Sequence, residues 1–260
     1  MAAVKTGFTH VNGLEIYYEV HGQGDPLVLL HGGVAGIANI ESLLPGLSAR
    51  RQVIAVELQG HGRTSDSDRP LSFEAMADDV AGVLAEMGIE RADWMGYSLG
   101  GGTALRAVIR HPQTVRRLVL VATPFARNGW HPEVLVGMGQ MVPAAEGMKR
   151  SPLAKLYPRI DWEVLFTKLR DLLAQDYDLS GEVAAIKAPT MLVFADADSI
   201  RPAHMIEFFR LLGGGMRDGG LDGSLRPVSR LAILPGYTHY DICGSPVLPD
   251  LVNAFLEASL

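Results

Sequence analysis

Gly96-Tyr97-Ser98-Leu99-Gly100 decides how this chain is read. It follows the apolar run Ala92-Asp93-Trp94-Met95. It precedes Thr103-Ala104-Leu105-Arg106-Ala107-Val108-Ile109, whose apolar residues recur at helical spacing. The pattern predicts a strand, a sharp turn and a helix. The glycines two residues before and two after the serine carry no Cβ, so the chain can double back and accept unusual φ/ψ. The serine hydroxyl is then held near the N-terminal end of a helix, where free N–H groups suit developing negative charge. A five-residue pattern with three fixed positions recurs by chance. Its weight rests on what the rest of the chain supplies.

Working outward, Leu27-Val28-Leu29-Leu30 and Gln52-Val53-Ile54-Ala55-Val56-Glu57 are continuous apolar runs of the kind that form strands buried on both faces. They end in His31-Gly32-Gly33 and in Gln59-Gly60-His61-Gly62-Arg63-Thr64-Ser65. Before them, Asn12-Gly13 marks a hairpin turn within Phe8 to Val20. Ser72 can cap a helix from Phe73 to about Met87, with Gly88 just past its end. On the other side, His111-Pro112 stops the helix that follows Ser98, and Arg117 to Ala122 is the next strand. Alternating strands and helices predict a parallel sheet with helices on both faces.

From Thr123-Pro124 to about Lys187 the alternation stops. Short helical patterns cover 132–141, 144–148, 152–156 and 162–175, interrupted by Pro143, Pro152 and Pro158. This segment reads as a helical lid inserted between two strands. Strand character resumes at Thr190 to Ala195, followed by Asp196-Ala197-Asp198-Ser199-Ile200-Arg201-Pro202 and a helix from about Ala203 to Leu212. Gly213 to Gly223 is a glycine-rich surface loop with no phosphate-loop lysine. Val228 to Leu234 is the last strand, running into Pro235-Gly236-Tyr237-Thr238-His239-Tyr240-Asp241, and a helix closes the chain from about Val247 to Ala258. The expected organisation is one α/β domain. Its core, 1–123 and 188–260, holds a mostly parallel sheet of about eight strands, and its lid is 124–187.

The bulk composition narrows the function classes. The 260 residues carry a formal net charge of -6 with scattered Lys and Arg, which argues against a nucleic-acid surface. No apolar run reaches the ~18 residues of a membrane span, and Met1 to Thr6 lacks the pattern of a signal peptide. The single Cys243 excludes an internal disulfide and fits a reducing cytoplasm. No HExxH, CxxC or GxxxxGK[ST] pattern supports metal or nucleotide chemistry, so no metal and no cofactor is expected. Oligomeric state is left open.

A serine hydroxyl is a poor nucleophile at neutral pH and needs a base, itself oriented by an acid. In an open parallel sheet, sites form beyond the carboxyl ends of the strands. Of the eight histidines, His61 and His239 lie in loops at strand ends. Only His239 gives the chain order serine, acid, histidine. The acid must also follow a strand, and Asp196 and Asp198 both qualify; spacing alone does not separate them. An oxyanion hole needs two N–H donors. Leu99, next to the serine, supplies one. His31-Gly32-Gly33-Val34 supplies the other, with Gly33 the first choice and Val34 the second.

These motifs together resemble the α/β-hydrolases, and the resemblance covers nearly the whole chain. Leu30-His31-Gly32-Gly33 is similar to that family's oxyanion loop and Gly96-Tyr97-Ser98-Leu99-Gly100-Gly101 to its nucleophile elbow. Asp196-Ala197-Asp198 with Pro202 is similar to its acid loop, and Pro235-Gly236-Tyr237-Thr238-His239 to its histidine loop. The resemblance implies Asp198 as the acid. It implies a Ser98–His239–Asp198 triad with Gly33 and Leu99 as oxyanion donors, needing no cofactor. Ala195, Glu57 and Thr64 depart from the family's usual glycine, aspartate and serine, which puts local loop geometry in question. Serine at the elbow weighs against the aspartate-using haloalkane dehalogenase and epoxide hydrolase branches. The implied activity is hydrolysis of a small or medium carboxylic ester or lactone. Carbon–carbon bond hydrolysis and cofactor-free perhydrolysis on the same scaffold are alternatives, as is a triad-bearing ligand receptor with little turnover. The lid residues Phe125, Trp130, Met138, Met141, Met148, Trp162 and Phe166 either pack among themselves or line an apolar pocket. Arg127, Arg150 and Arg159 read as isolated and solvated.

Overall fold

The computed structural model describes residues 5–259. An opening hairpin of β1 (Lys5–Val11) and β2 (Leu14–His21) turns at Asn12-Gly13, both at positive φ. β3 (Pro26–Leu30) leads through two 3-10 turns and the short helix α1 (Leu44–Ser48) to β4 (Gln52–Val56). Next come α2 (Phe73–Glu86), β5 (Ala92–Tyr97), α3 (Leu99–Arg110) and β6 (Val115–Val121). Five helices follow: α4 (Pro132–Gly139), α5 (Ala145–Met148), α6 (Pro152–Leu156), α7 (Trp162–Ala174) and α8 (Ser180–Ala185). The chain then returns through β7 (Thr190–Ala197), α9 (Pro202–Leu211), β8 (Arg230–Thr238) and α10 (Leu248–Glu257).

The strands form one eight-stranded sheet in the order β1-β2-β4-β3-β5-β6-β7-β8. β1 with β2 and β2 with β4 are antiparallel; every later pairing is parallel. Alternation along each strand sorts side chains onto two faces. Val28, Leu30, Ile54, Val56, Trp94 and Leu120 meet α2 and α3 on one face. Leu27, Leu29, Val53, Ala55, Met95 and Val121 meet α1 and α10 on the other. Leu30 pairs with Gly96 and Gly96 with Leu120, so three central strands end level with one another, and that level carries the site.

Three local features differ from the sequence expectation. α3 begins at Leu99, not Thr103. Gly100-Gly101-Gly102 are poor helix formers in isolation, but here the first turn is pressed onto its neighbours. A Cβ on Gly100 would lie 2.5 Å from the His31 carbonyl oxygen and 2.6 Å from the Leu30 carbonyl. β8 starts at Arg230, not Val228, and runs on through Pro235 and Gly236 to Thr238, which pairs with Ala197 after a register shift that sets Pro235, Gly236 and Tyr237 opposite Asp196. As an edge strand it accommodates a proline without losing a ladder donor. α1 and α8 were not expected; both are single short turns with little periodicity to read.

Glu57 and Thr64 build the loop after β4 in their own way. The buried Glu57 carboxylate accepts hydrogen bonds from the N–H groups of Ile37 (3.2 Å) and Arg63 (2.6 Å) and from the Arg63 guanidinium (3.1 Å). Burial pushes its carboxyl above the usual range. Thr64 Oγ1 donates to the Glu57 carbonyl at 2.6 Å and accepts from Tyr17 N–H at 2.9 Å. Among the described residues, no helix is long and apolar enough to cross a membrane.

Candidate active site

Ser98 stands between β5 and α3 with φ 50° and ψ -110°. A positive φ on a non-glycine residue costs free energy and persists only where the surroundings impose it. Here they do. Ser98 N–H donates to Val121 O on β6 at 2.9 Å, and Gly100 N–H donates to His31 O beyond β3 at 3.0 Å. A Cβ on Gly96 would collide with the Gly100 carbonyl oxygen, so the tight turn requires glycine there. The turn leaves Ser98 half-buried, with its hydroxyl toward the space above the sheet.

His239 follows β8 and is buried. Its Nε2 lies 3.0 Å from Ser98 Oγ and its Nδ1 2.9 Å from Asp198 Oδ1. A carboxylate only accepts, so Nδ1 carries the proton and Nε2 is left to accept from the serine hydroxyl. Asp198 is buried and also accepts from Ala195 N–H (3.1 Å) and Ile200 N–H (3.3 Å). Asp196 is exposed and serves the backbone, accepting from Gly236 N–H at 2.9 Å. The fold brings Ser98, His239 and Asp198 into one file and leaves Asp196 outside it. Tyr97 donates its hydroxyl to the His239 carbonyl at 2.7 Å, and burial pushes its phenol pKa up, keeping it a donor. Trp130 meets the imidazole edge-on, with ring centroids 5.4 Å apart.

Val34 also takes a positive φ, 81°, in the loop beyond β3. Gly33, Val34 and Leu99 all line the space around Ser98. Among the described residues, no hydrogen bond takes up their N–H groups. His31 pins this loop: Nδ1–H donates to Gly32 O at 2.6 Å and Nε2 accepts from Leu58 N–H at 3.0 Å. Burial lowers the His31 pKa to about 3, so it stays neutral. His61 is fully buried beside His31, its Nδ1 donating to Gln59 O at 2.8 Å, and it lines neither cavity at Ser98.

Two cavities meet at Ser98. The inner one, about 90 Å³, is walled by buried residues including Phe73, Leu99, Arg106 and Leu169, with Met138, Met141 and Tyr177. The outer one, about 640 Å³, is lined by His239, Tyr240, Ser199 and Glu133 and opens past Tyr240, which is 78% exposed. Trp130, Met138 and Met141 line both, whereas Phe125, Trp162 and Phe166 are buried in the packing beneath. Arg127 is half-buried and donates to Leu173 O at 3.4 Å, unlike the solvated side chain expected; Arg150 is exposed as expected, and Arg159 is exposed but not isolated, since it lies 3.5 Å from the Glu15 carboxylate. Residues 213–223 line neither cavity. Among the described residues, no group of three or more His, Cys, Asp or Glu side chains converges as metal ligands would.

Sequence reasoning passed over Tyr97, Phe73, Tyr177 and Arg106. For Arg106 the sequence held only a weak signal: it is the one charged residue in the run from Leu99 to Ile109.

The sheet order and the elements around Ser98 define an α/β scaffold that brings a serine, a histidine and an aspartate into one file. The chain belongs to the alpha/beta hydrolase fold family, whose model matches residues 25–159. It is 42% identical over 106 residues to 2-hydroxymuconate semialdehyde hydrolase of Pseudomonas sp. (strain CF600), a match spanning 39% of this chain and 38% of that one. It is 27% identical over 234 residues to the AB hydrolase superfamily protein YisY of Bacillus subtilis (strain 168), covering 79% of this chain and 85% of YisY. Among solved structures, the enol-lactonase from Burkholderia xenovorans LB400 superposes with a TM-score of 0.76 at 22% identity. That superposition covers 97% of this chain and all of the other, a likeness of fold.

Proposed function

We propose that the chain is a serine hydrolase that cleaves a small or medium carboxylic ester or lactone through an acyl-enzyme. The observation that carries this reading is the file Ser98 Oγ–His239 Nε2 at 3.0 Å and His239 Nδ1–Asp198 Oδ1 at 2.9 Å. Ser98 Oγ attacks the carbonyl carbon while His239 Nε2 takes the hydroxyl proton. The carbonyl π pair moves onto oxygen, and the N–H groups of Gly33 and Leu99 stabilise that charge. Asp198 holds the Nδ1–H tautomer and stabilises the imidazolium. The tetrahedral species collapses, His239 protonates the departing oxygen, and the acyl group stays on Ser98. Water then attacks with His239 as base, releasing the acid and restoring the serine. Residues 124–187 act as the lid, contributing Trp130, Met138 and Met141 to the apolar walls. The single, buried Cys243, its thiol pushed up to about 12 by burial, suits a cytoplasmic setting.

A second reading is carbon–carbon bond hydrolysis by the same residues. It is favoured by the 42% identity over 106 residues to 2-hydroxymuconate semialdehyde hydrolase. Steady-state turnover across p-nitrophenyl esters, lactones and vinylogous diketo acids, with Ser98→Ala as blank, separates the readings. Turnover of esters or lactones that vanishes in Ser98→Ala supports the first. Turnover confined to diketo acids moves the assignment to the second. Tight binding with no turnover of any class would make the protein a receptor and overturn both.

A further inference from the structure

We infer that Arg106 reads an anionic oxygen on the acyl part of the substrate, so that the preferred esters carry a distal carboxylate on their acyl chain; this rests on the hydrolase reading above. Arg106 is 6% exposed and lines the inner cavity. Its Nε–H donates to Glu74 at 2.6 Å. Among the described residues, nothing accepts a hydrogen bond from Nη1 or Nη2. The guanidinium lies 5.6 Å from the Phe73 ring centre and 5.3 Å from that of Tyr177. Those rings fix it and favour its charge but take no N–H···O bond. Glu74 offsets the charge only in part, because its side chain is 47% exposed and shared with the Ser72 hydroxyl. A buried guanidinium that lines a largely apolar cavity and leaves Nη1 and Nη2 without a protein acceptor is a matched partner for a carboxylate.

The two cavities decide which half of the substrate meets it. His239 must protonate the leaving group, and His239 and Tyr240 line only the outer cavity. The acyl part therefore occupies the inner one, beside Leu99, Leu169 and Arg106. Arg106 is eight residues beyond Ser98, on the helix that Ser98 immediately precedes, a rise of about 12 Å. Its side chain leans back toward the N-terminus, leaving a span that a short methylene chain bridges.

The test compares mono-p-nitrophenyl adipate with p-nitrophenyl hexanoate, which differ by carboxylate against methyl at the chain end. Their ratio of kcat/KM within each variant cancels any loss common to both. The ratio should exceed tenfold in the wild type, fall by about tenfold or more in Arg106→Met, be intermediate in Arg106→Lys, and rise in Glu74→Gln. A wild-type ratio near one, or one that Arg106→Met leaves unchanged, overturns the inference. If Arg106→Met does not fold, an unchanged ratio in Glu74→Gln does so instead. Calorimetry of adipate binding to Ser98→Ala, with and without Arg106→Met, separates this inference from the hydrolase reading. Binding weakened at least tenfold by Arg106→Met upholds the carboxylate site even if neither ester is turned over. Binding that is indifferent to Arg106 overturns it.

Discussion

Asp196 and Asp198 stand two positions apart at the carboxyl end of β7, and the fold gives them different work. Asp198 is buried against His239, while Asp196 is exposed and holds Gly236 N–H at 2.9 Å. Asp198→Asn keeps the shape but offers an amide N–H or a weaker acceptor to Nδ1. That favours the wrong imidazole tautomer and should lower kcat by about 10³- to 10⁴-fold. Asp196→Asn should change kcat by less than about threefold, since its bond to Gly236 survives in an amide oxygen. Stopped-flow or steady-state kcat on one ester checks both. At this scale the sequence was legible for residue types and order. Spacing alone did not separate the two aspartates and the family resemblance pointed to Asp198; spacing fails because the β7–β8 register shifts just there, so alternation along the strand does not tell which carboxylate is buried. Arg106 was hidden for a related reason: a charge inside an apolar helix can face solvent or a cavity, and only the packing of Phe73 and Tyr177 decides.

At the scale of elements, the strands of the parallel sheet were read almost completely, because strands covered on both faces are continuous apolar runs. The first turn of α3 was not, since Gly100-Gly101-Gly102 has no periodicity and is helical only through contact. Gly101 lies against Thr123, Gly102 against Phe73, and Gly100 against the carbonyls of Leu30 and His31. Helix propensity favours alanine over glycine by ~1 kcal/mol, yet Gly100→Ala should destabilise. Its Cβ meets backbone at 2.5 Å, which no side-chain rotation relieves. A loss of about 3 kcal/mol or more is expected. Urea unfolding measures it, and an unchanged or raised midpoint would contradict the packing described for the elbow. The short helices α1 and α8 were invisible because a single turn stabilised by tertiary contacts leaves no pattern to count.

At the scale of the whole molecule, three buried histidines tie stability to pH. Burial holds His31 at about 3 and His61 and His204 at about 4, against an ordinary value of 6.5. Each is neutral in the folded chain, while the unfolded chain protonates it below about 6.5. The stability they contribute is therefore complete above that pH and is lost as pH falls toward 4. The slope is about 1.4 kcal/mol per pH unit for each histidine. Guanidinium midpoints at pH 7.5, 6.0 and 5.0 should fall steeply across the last interval, and flat midpoints would contradict the burial of these rings. His204 stacks on Phe125 with centroids 4.0 Å apart and accepts from its N–H at 3.2 Å. It thereby fastens α9 to the start of the segment between β6 and β7, so acid should loosen the roof of the site as well as the fold. All of this serves the strained turn at Ser98, whose chemistry a single measurement reaches most directly. Mixing the enzyme rapidly with p-nitrophenyl acetate and quenching in acid should give a burst of one p-nitrophenol per chain, with one acetyl group found by peptide mass on the Ser98 peptide. Ser98→Ala should show neither. Undiminished turnover in Ser98→Ala, or an acetyl group that maps to another residue, would contradict the account.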